Sequence, residues 1–563
     1  MTQDVVGTMK ESTRVGKEGL PLRQTAFRIQ ATGALHGENR WDSGWVESSR
    51  TVGIVWGGDP LLADTRVHWS LRVRDAAGTE ALGASVGPAF HVSLTSLDDW
   101  KGANWITSSN HIPSNSCAFY APSPPPLMRV EFNLSSAKTV HTAVLHVVGL
   151  GWSQVFMNGH RVGQNELDPA LTTYNRTVLY SSFEVADLLL PPQDSDNGQI
   201  GSTNAIGITV GNGWFNQLPF KMFGSWKLRE TMTVGPPRAM LLLSVLYTDG
   251  STTVVSSGTH WSCATVGPRT HNNLYFGEAY DSRLEARIAG WASPGFSEST
   301  ADWHSCERAD DSVVSVENVS GWMPPIPRLQ FAPPVRITAR WHPIAAWKLE
   351  GSDSFVLDFG RELVGWLEFS IPEGRPGEAV EAVFAERLAI KDGRPYLNGD
   401  VDASSTYGPG SVGNWCAPGS GCESMWGECT FSFPPAGRIN GAQTITYIQK
   451  SGKQSYRGAF SFHVFRYVRV SGYPLEYGAE IPLSHFTALR LHTDNRPAVN
   501  ATNVYDGRPE HSSVLSAPPS ATEEPASFQS SVELLNEIDM LADVAFRSNW
   551  IGIQSGEMAA TQC

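Results

Sequence analysis

The chain has 563 residues, more than one hydrophobic core organises, so about three or four domains are expected. Charged residues are only 17 %, while Gly (53) and Pro (36) are plentiful, which favours short strands and turns over long helices. A net charge of −14 with no basic run excludes nucleic acid and anionic membrane as main partners, and no stretch approaches the roughly 18 apolar residues of a membrane span.

Residues 1–20 carry no periodic pattern and read as disordered. They hold no apolar core of a secretory signal, so a cytoplasmic protein is expected, with secretion left open. In residues 21–100, Trp69, Leu71 and Val73 alternate with Ser70, Arg72 and Arg74, the period of a half-buried strand. Several such strands with turn signals predict a small sandwich of fibronectin type III kind. A proline-rich connector, Pro122 to Pro126, lies near the start of the next stretch.

Residues 101–320 read as a second β-domain. Val144, Leu145, Val147 and Val148 form an apolar run, and Gln154 to Met157 stops at Asn158-Gly159. Asn-Gly predicts a type I′ hairpin turn, since both central residues need positive φ. Asp249-Gly250 predicts a second hairpin. Glu278, Asp281, Arg283, Glu285 and Arg287 then crowd between aromatic residues. The first reading is a salt-bridged surface turn, the second a domain junction or sugar contact.

Residues 321–493 read as a third β-domain. Phe355, Leu357 and Phe359 alternate, as do Leu367 and Phe369, and Asp392-Gly393 is a further turn. Phe462, Val464, Tyr467 and Val470 are expected core. Gly408 to Gln454 reads as a long loop. Residues 494–526 form a Pro/Ser-rich linker. In 527–563, Ser530 and Glu533 make a capping box before one amphipathic helix. Val532, Leu535, Ile538, Leu541, Ala542 and Ala545 give it a single apolar face.

Seven cysteines are an odd number. Cys117, Cys263 and Cys306 stand alone and read as reduced thiols. Cys416, Cys422 and Cys429 lack histidine or a Cys-x-x-Cys pair, which argues against zinc. Asn133, Asn175, Asn318 and Asn500 sit in N-x-S/T sequons, which matter only on a secretory route.

The order of these motifs resembles the inverting α-L-rhamnosidases of bacteria and fungi. The first domain is similar through LRQTAFRI, WDSGWV and VHWSLRVRDAAG. The second is similar through GLGWSQVFMNGHRVG, LDPALTTYNRTVLY, NAIGITVGNGWF and FGEAYDSR. The third is similar through PPVRI, LDFGRELVGW, AERL, DGRPYLN and FRYVRVSGYP, and the helix through SSVELLNEIDMLADVAFRSNWIGIQS. The resemblance implies an all-β multidomain chain: a fibronectin III-like sandwich, a jelly-roll of galactose-binding kind and a concanavalin-like β-sandwich. One terminal helix would open a truncated (α/α)6 barrel. In the family an acidic, arginine-containing stretch follows such a helix and opens the catalytic barrel. Here Gln554-Ser555 runs into GEMAATQC, and Glu557 sits in surroundings that do not match.

The resemblance implies hydrolysis of terminal α-L-rhamnose from glycosides or polysaccharides, by an acid and a base carboxylate roughly 6.5–9.5 Å apart. This chain alone is expected to lack that pair. The alternative is a non-catalytic carbohydrate-binding or scaffold protein. For sugar contact in the jelly-roll, Trp152, Asn158, Asp168, Tyr174, Arg176, Asn212 and Trp214 are the candidates, aromatic faces with polar groups at strand ends. The plainer alternative is that the tryptophans are core and the polar residues turn formers. Family members that bind rhamnose here with calcium point to Asp168 and Asn212 as oxygen ligands.

Overall fold

A computed structural model describes residues 23–33, 35, 39–82, 89–108, 124–191, 200–216, 235–274, 277–298, 302–309, 324–391, 399–402, 444–476 and 478–494. It also gives the backbone of short strands at 4–5, 193–194, 221–222, 226–227, 394–395, 550–551 and 553–554. The apolar face of the expected helix, Val532 to Ala545, the turn at Asp392-Gly393, Cys117 and the cysteines beyond 410 lie outside the described residues. Two compact units are present, the first comprising Met1–Trp100 with Lys138–His141 and Leu246–Thr252.

The first unit is built on one long antiparallel pair, Gln24–Gly33 against Arg66–Asp75. Asn39–Asp42 and Glu80–Leu82 flank it, and shorter strands at Val46–Glu47 and Ala89–His91 complete a six-stranded sheet. The alternation seen in the sequence places Ala31, Val67 and Val92 inside, against Trp41, Trp56, Trp69 and Phe90. Arg28 pairs with Asp42 across neighbouring strands, and this holds the Asp42 carboxyl below the usual range.

Two seven-stranded sheets, most of them in the second unit, carry the jelly-roll. One runs in the order 160–161, 152–157, 200–211, 127–134, 262–264, 304–305. The other runs 307–308, 106–107, 238–247, 140–150, 179–184, 328–329. The predicted hairpin is present: Asn158 and Gly159 have φ of 53° and 83°, and Met157 pairs with His160. The Asp249-Gly250 hairpin is present too, with Gly250 at φ 84° and Tyr247 N–H donating to the Ser251 carbonyl at 2.9 Å.

A ten-stranded sheet carries the third domain, in the order 269–273, 277–281, 444–448, 379–385, 463–471, 355–371, 486–493, 335–341. Its spine is the 17-residue strand Phe355–Ile371, which buries Phe355, Leu357, Phe359, Leu367 and Phe369 on the expected period. Only glycine fits at Gly365, where a Cβ would lie 1.8 Å from the Leu489 carbonyl oxygen.

Three expectations change here. The hairpin Arg269–Asp281 belongs by sequence to 101–320, yet its strands lie at the end of the third domain's sheet. Gly277–Asp281 pairs in parallel with Thr444–Ile448. The strand Thr444–Ile448 falls in the stretch read as loop, and a further strand starts at Gln454; the alternation was masked by the Gly/Ser-rich run before it. Finally, Val470 is buried as expected, but Phe462, Val464 and Tyr467 are half-buried, while His463, Phe465 and Val468 take the centre.

Cys263 and Cys306 form a disulfide, Cα–Cα 4.9 Å, where reduced thiols were expected. Strand pairing of Cys263 with His304 brings Cys263 close to Cys306, 43 residues away in sequence, which no local motif announces. The described residues contain no helix long and apolar enough to cross a membrane.

Candidate functional site

The residues nominated for sugar contact are mostly absorbed by the fold. Trp152 is buried and Trp214 half-buried, both in one apolar cluster with Leu274, Trp366 and Phe460. That cluster joins the jelly-roll to the third domain, so Trp152 is core and Trp214 packs at its margin. Asn158 is a turn former. Its amide donates to Asn204 Oδ1 at 2.7 Å and to the Leu188 carbonyl at 2.8 Å, and its Oδ1 accepts from Ala205 N–H at 2.7 Å. Tyr174 is buried edge-on against Phe215, 5.3 Å between centroids, and burial pushes its hydroxyl pKa up. Arg176 is exposed on a surface turn.

Asp168 is buried, and its carboxylate accepts from Ser181 Oγ at 2.6 Å, Gln330 Nε2 at 3.2 Å and Asn165 Nδ2 at 3.5 Å. Burial pushes its pKa up, and those hydrogen bonds work against the shift. Asn212 engages different partners: its amide donates to the Asn272 carbonyl at 2.6 Å, and its Oδ1 accepts from Asn216 at 2.8 Å. A calcium ion needs six to eight oxygens facing one point. Here the oxygens of Asp168 and Asn212 already face N–H and O–H donors, so the pair does not fit the ion.

What does converge is a polar node at Glu278, at the joint of the two β-domains. Glu278 is fully buried and forms an ion pair with Arg269, whose side chain is mostly buried, 14 % exposed. It also accepts from Tyr456 O–H at 2.8 Å, Ala459 N–H at 3.0 Å, Phe460 N–H and Ser461 Oγ at 3.2 Å. Tyr280, Tyr456 and Phe460 present their rings to the Arg269 guanidinium at 5.3, 5.9 and 5.7 Å. Around it, Glu285 pairs with Lys450 and accepts from Tyr280 O–H at 3.0 Å. The polar cluster seen in the sequence is thus a domain junction at Glu278 and Glu285, and a surface turn at Asp281, whose carboxylate holds Arg283 at 2.9 Å. Arg269 and Tyr456 were missed, because nothing in the sequence links them to Glu278 before the sheet forms.

A second concave site lies on the jelly-roll, a cup of about 360 Å³ lined by Arg129, Glu131, His260, Ser262, Phe296 and Glu298. The buried Arg129 guanidinium pairs with both carboxylates and donates to the Trp291 carbonyl at 2.7 Å. Ser262 Oγ donates to Glu298 at 2.6 Å. Glu131 and Glu298 remain about one-third exposed, at 31 % and 34 %, so acceptor oxygens face the cup beside an aromatic ring. That set suits a hydroxylated ring.

A general acid needs a raised pKa with access to solvent. Asp168 is raised but enclosed by donors. Glu386 is half-buried and raised, by burial first and then by the Glu362 charge. Among the described residues, the geometry nominates no partner base for it.

Comparison with known proteins extends along nearly the whole chain. Residues 14–95 match the Rha78A-like N-terminal immunoglobulin domain, 138–330 the alpha-L-rhamnosidase N-terminal domain, and 348–492 the bacterial alpha-L-rhamnosidase concanavalin-like domain. An alpha-L-rhamnosidase of Formosa agariphila is 28 % identical over 484 residues, 81 % of this chain and 43 % of the relative. One from Streptomyces avermitilis is 30 % identical over 350 residues, 62 % of this chain and 27 % of the relative. An alpha-L-rhamnosidase structure from Dictyoglumus thermophilum superimposes with TM-score 0.67 and 25 % identity, covering 95 % of this chain and 49 % of its own. The chain therefore spans less than half the length of the curated relatives it matches.

Proposed function

The chain carries three consecutive domains of the α-L-rhamnosidase family, and from that premise we propose that it is the β-domain portion of an inverting α-L-rhamnosidase. The protein would release terminal α-L-rhamnose from glycosides or polysaccharides. What supports the reading is the order of the three domain matches along the chain, with the second and third packed on each other through the Glu278 node and the Trp152–Phe460 cluster. Inversion needs an acid to protonate the leaving oxygen and a base to activate water from the opposite face. In this reading both come from residues beyond the β-domains, whose role is to support them.

The test is hydrolysis of an aryl α-L-rhamnoside, by the 563-residue chain and by the native protein that carries its peptides. Turnover is expected only from a native species longer than this chain. Turnover by the purified chain itself sinks the division of labour, and no turnover by either sinks the enzyme reading.

The Arg129 cup favours a second reading, weak carbohydrate binding by the jelly-roll. Titration with L-rhamnose should give saturable binding that a Glu131→Gln/Glu298→Gln variant loses at least tenfold. Equal binding by both proteins removes the cup from consideration.

A further inference from the structure

We propose that this chain matures in an oxidising secretory compartment and carries an N-linked glycan on Asn175. Two independent observations point there. The first is the Cys263–Cys306 disulfide, both cysteines buried in the jelly-roll. Cytosolic glutathione and thioredoxin keep such pairs reduced, and oxidising compartments make them. The bond forms as two thiols give up two electrons and two protons to the disulfide of an oxidative-folding oxidoreductase, which leaves as a dithiol. Since both sulfurs end up buried, the exchange belongs to folding.

The second observation is the seat of the sequon Asn175-Arg176-Thr177. It forms the tip of a tight turn in which Arg176 N–H and Thr177 N–H both donate to the Thr173 carbonyl, at 2.8 and 3.0 Å. Thr172 Oγ1 donates to the Thr177 carbonyl at 2.6 Å and closes the turn from behind. Tyr174, buried against Phe215, anchors it, while Thr173, Asn175 and Arg176 are exposed. The turn is satisfied by its own backbone, so the Asn175 amide is not needed to hold it. Asn133 differs. It lies within the strand Leu127–Leu134, paired on both sides over part of its length, and its Oδ1 accepts from Thr203 at 2.8 Å.

N-glycosylation joins the Asn175 side-chain nitrogen to the anomeric carbon of a lipid-linked oligosaccharide. The nitrogen loses a proton and the polyprenyl diphosphate leaves. The acceptor must be a surface turn with a hydroxyl two residues on, and Thr177 supplies it.

The test is to direct the full chain into the secretory pathway of a eukaryotic host and map its peptides. Asn175 should shift on release by an N-glycosidase, and Cys263 and Cys306 should appear as one linked pair without reductant. Asn175→Gln and Thr177→Ala should each lose that one glycan, and Thr177→Ser should keep it. A folded, secreted chain with unmodified Asn175, or with free Cys263 and Cys306, overturns the proposal. Retention of the chain as a reduced, glycosidase-insensitive species counts against it equally.

Discussion

Glu278→Ala is expected to cost about 3–5 kcal/mol, the range for breaking a buried ion pair from one side. The loss is not the worth of the pair itself. It arises because Arg269 stays behind, buried and unneutralised, in a site whose burial already pulls its pKa down. Four donors lose their acceptor as well: the Tyr456 and Ser461 hydroxyls and two backbone N–H groups. A double change, Glu278→Gln with Arg269→Met, removes both charges and keeps an acceptor. It should be milder than the sum of the single changes, as coupled neighbours are. Because the chain has several domains, one global unfolding curve is a poor readout. Amide exchange in Arg269–Asp281 and Thr444–Ile448 is the better one. Unchanged protection of these strands in Glu278→Ala would show that the node contributes little.

The second large effect is on acid stability. His463 lies at the centre of the ten-stranded sheet, stacked on Phe384 at 4.1 Å and 7°. Neither of its ring nitrogens has a hydrogen-bonding partner among the described residues. Burial lowers its pKa to about 3, and that of the buried His271 to about 4. In the unfolded chain both titrate near about 6.5. Below that pH the unfolded state binds protons that the folded state refuses, so stability falls as pH drops, and stops falling near each folded pKa. Each histidine contributes a slope of about 1.4 kcal/mol per pH unit in that window. Asp168 and Glu386, raised by burial, pull the other way as they take up protons. The informative quantity is therefore the difference between wild type and His463→Phe. Between pH 6.5 and 4 the variant should lose one proton's worth of slope. Parallel curves for the two proteins would mean that His463 is protonated in the folded state.

Local signals were legible in the sequence. Asn158-Gly159 and Asp249-Gly250 announced their hairpins because a two-residue turn is dictated by its own φ angles. The alternation in Phe355–Phe359 announced the strand and one of its buried faces, since period two survives whatever the partner strand is; Val356 is buried on the other face. What was hidden is non-local. The partner of Gly277–Asp281 comes far later in the chain, after a Gly/Ser-rich stretch, and pairs in parallel. The Cys263–Cys306 bond depends on strands brought together by that same kind of folding. The packing of the candidate sugar residues was hidden for another reason. Asn, Asp and Trp at strand ends look alike whether they face solvent or another domain, and here the third domain covers Trp152 and Trp214.

The parallel seam between Gly277–Asp281 and Thr444–Ile448 also bears on inheritance. The concanavalin-like match begins at residue 348, yet its sheet is finished by a hairpin encoded some seventy residues upstream, at 269–281. A gene segment cut at the apparent boundary would leave Thr444–Ile448 with an open edge, the feature most prone to unwanted pairing between chains. The two β-domains thus share strands across the boundary that sequence matching draws. Transfer of either one alone is expected to open that edge, so the unit that would move intact is larger than either domain that sequence matching delimits.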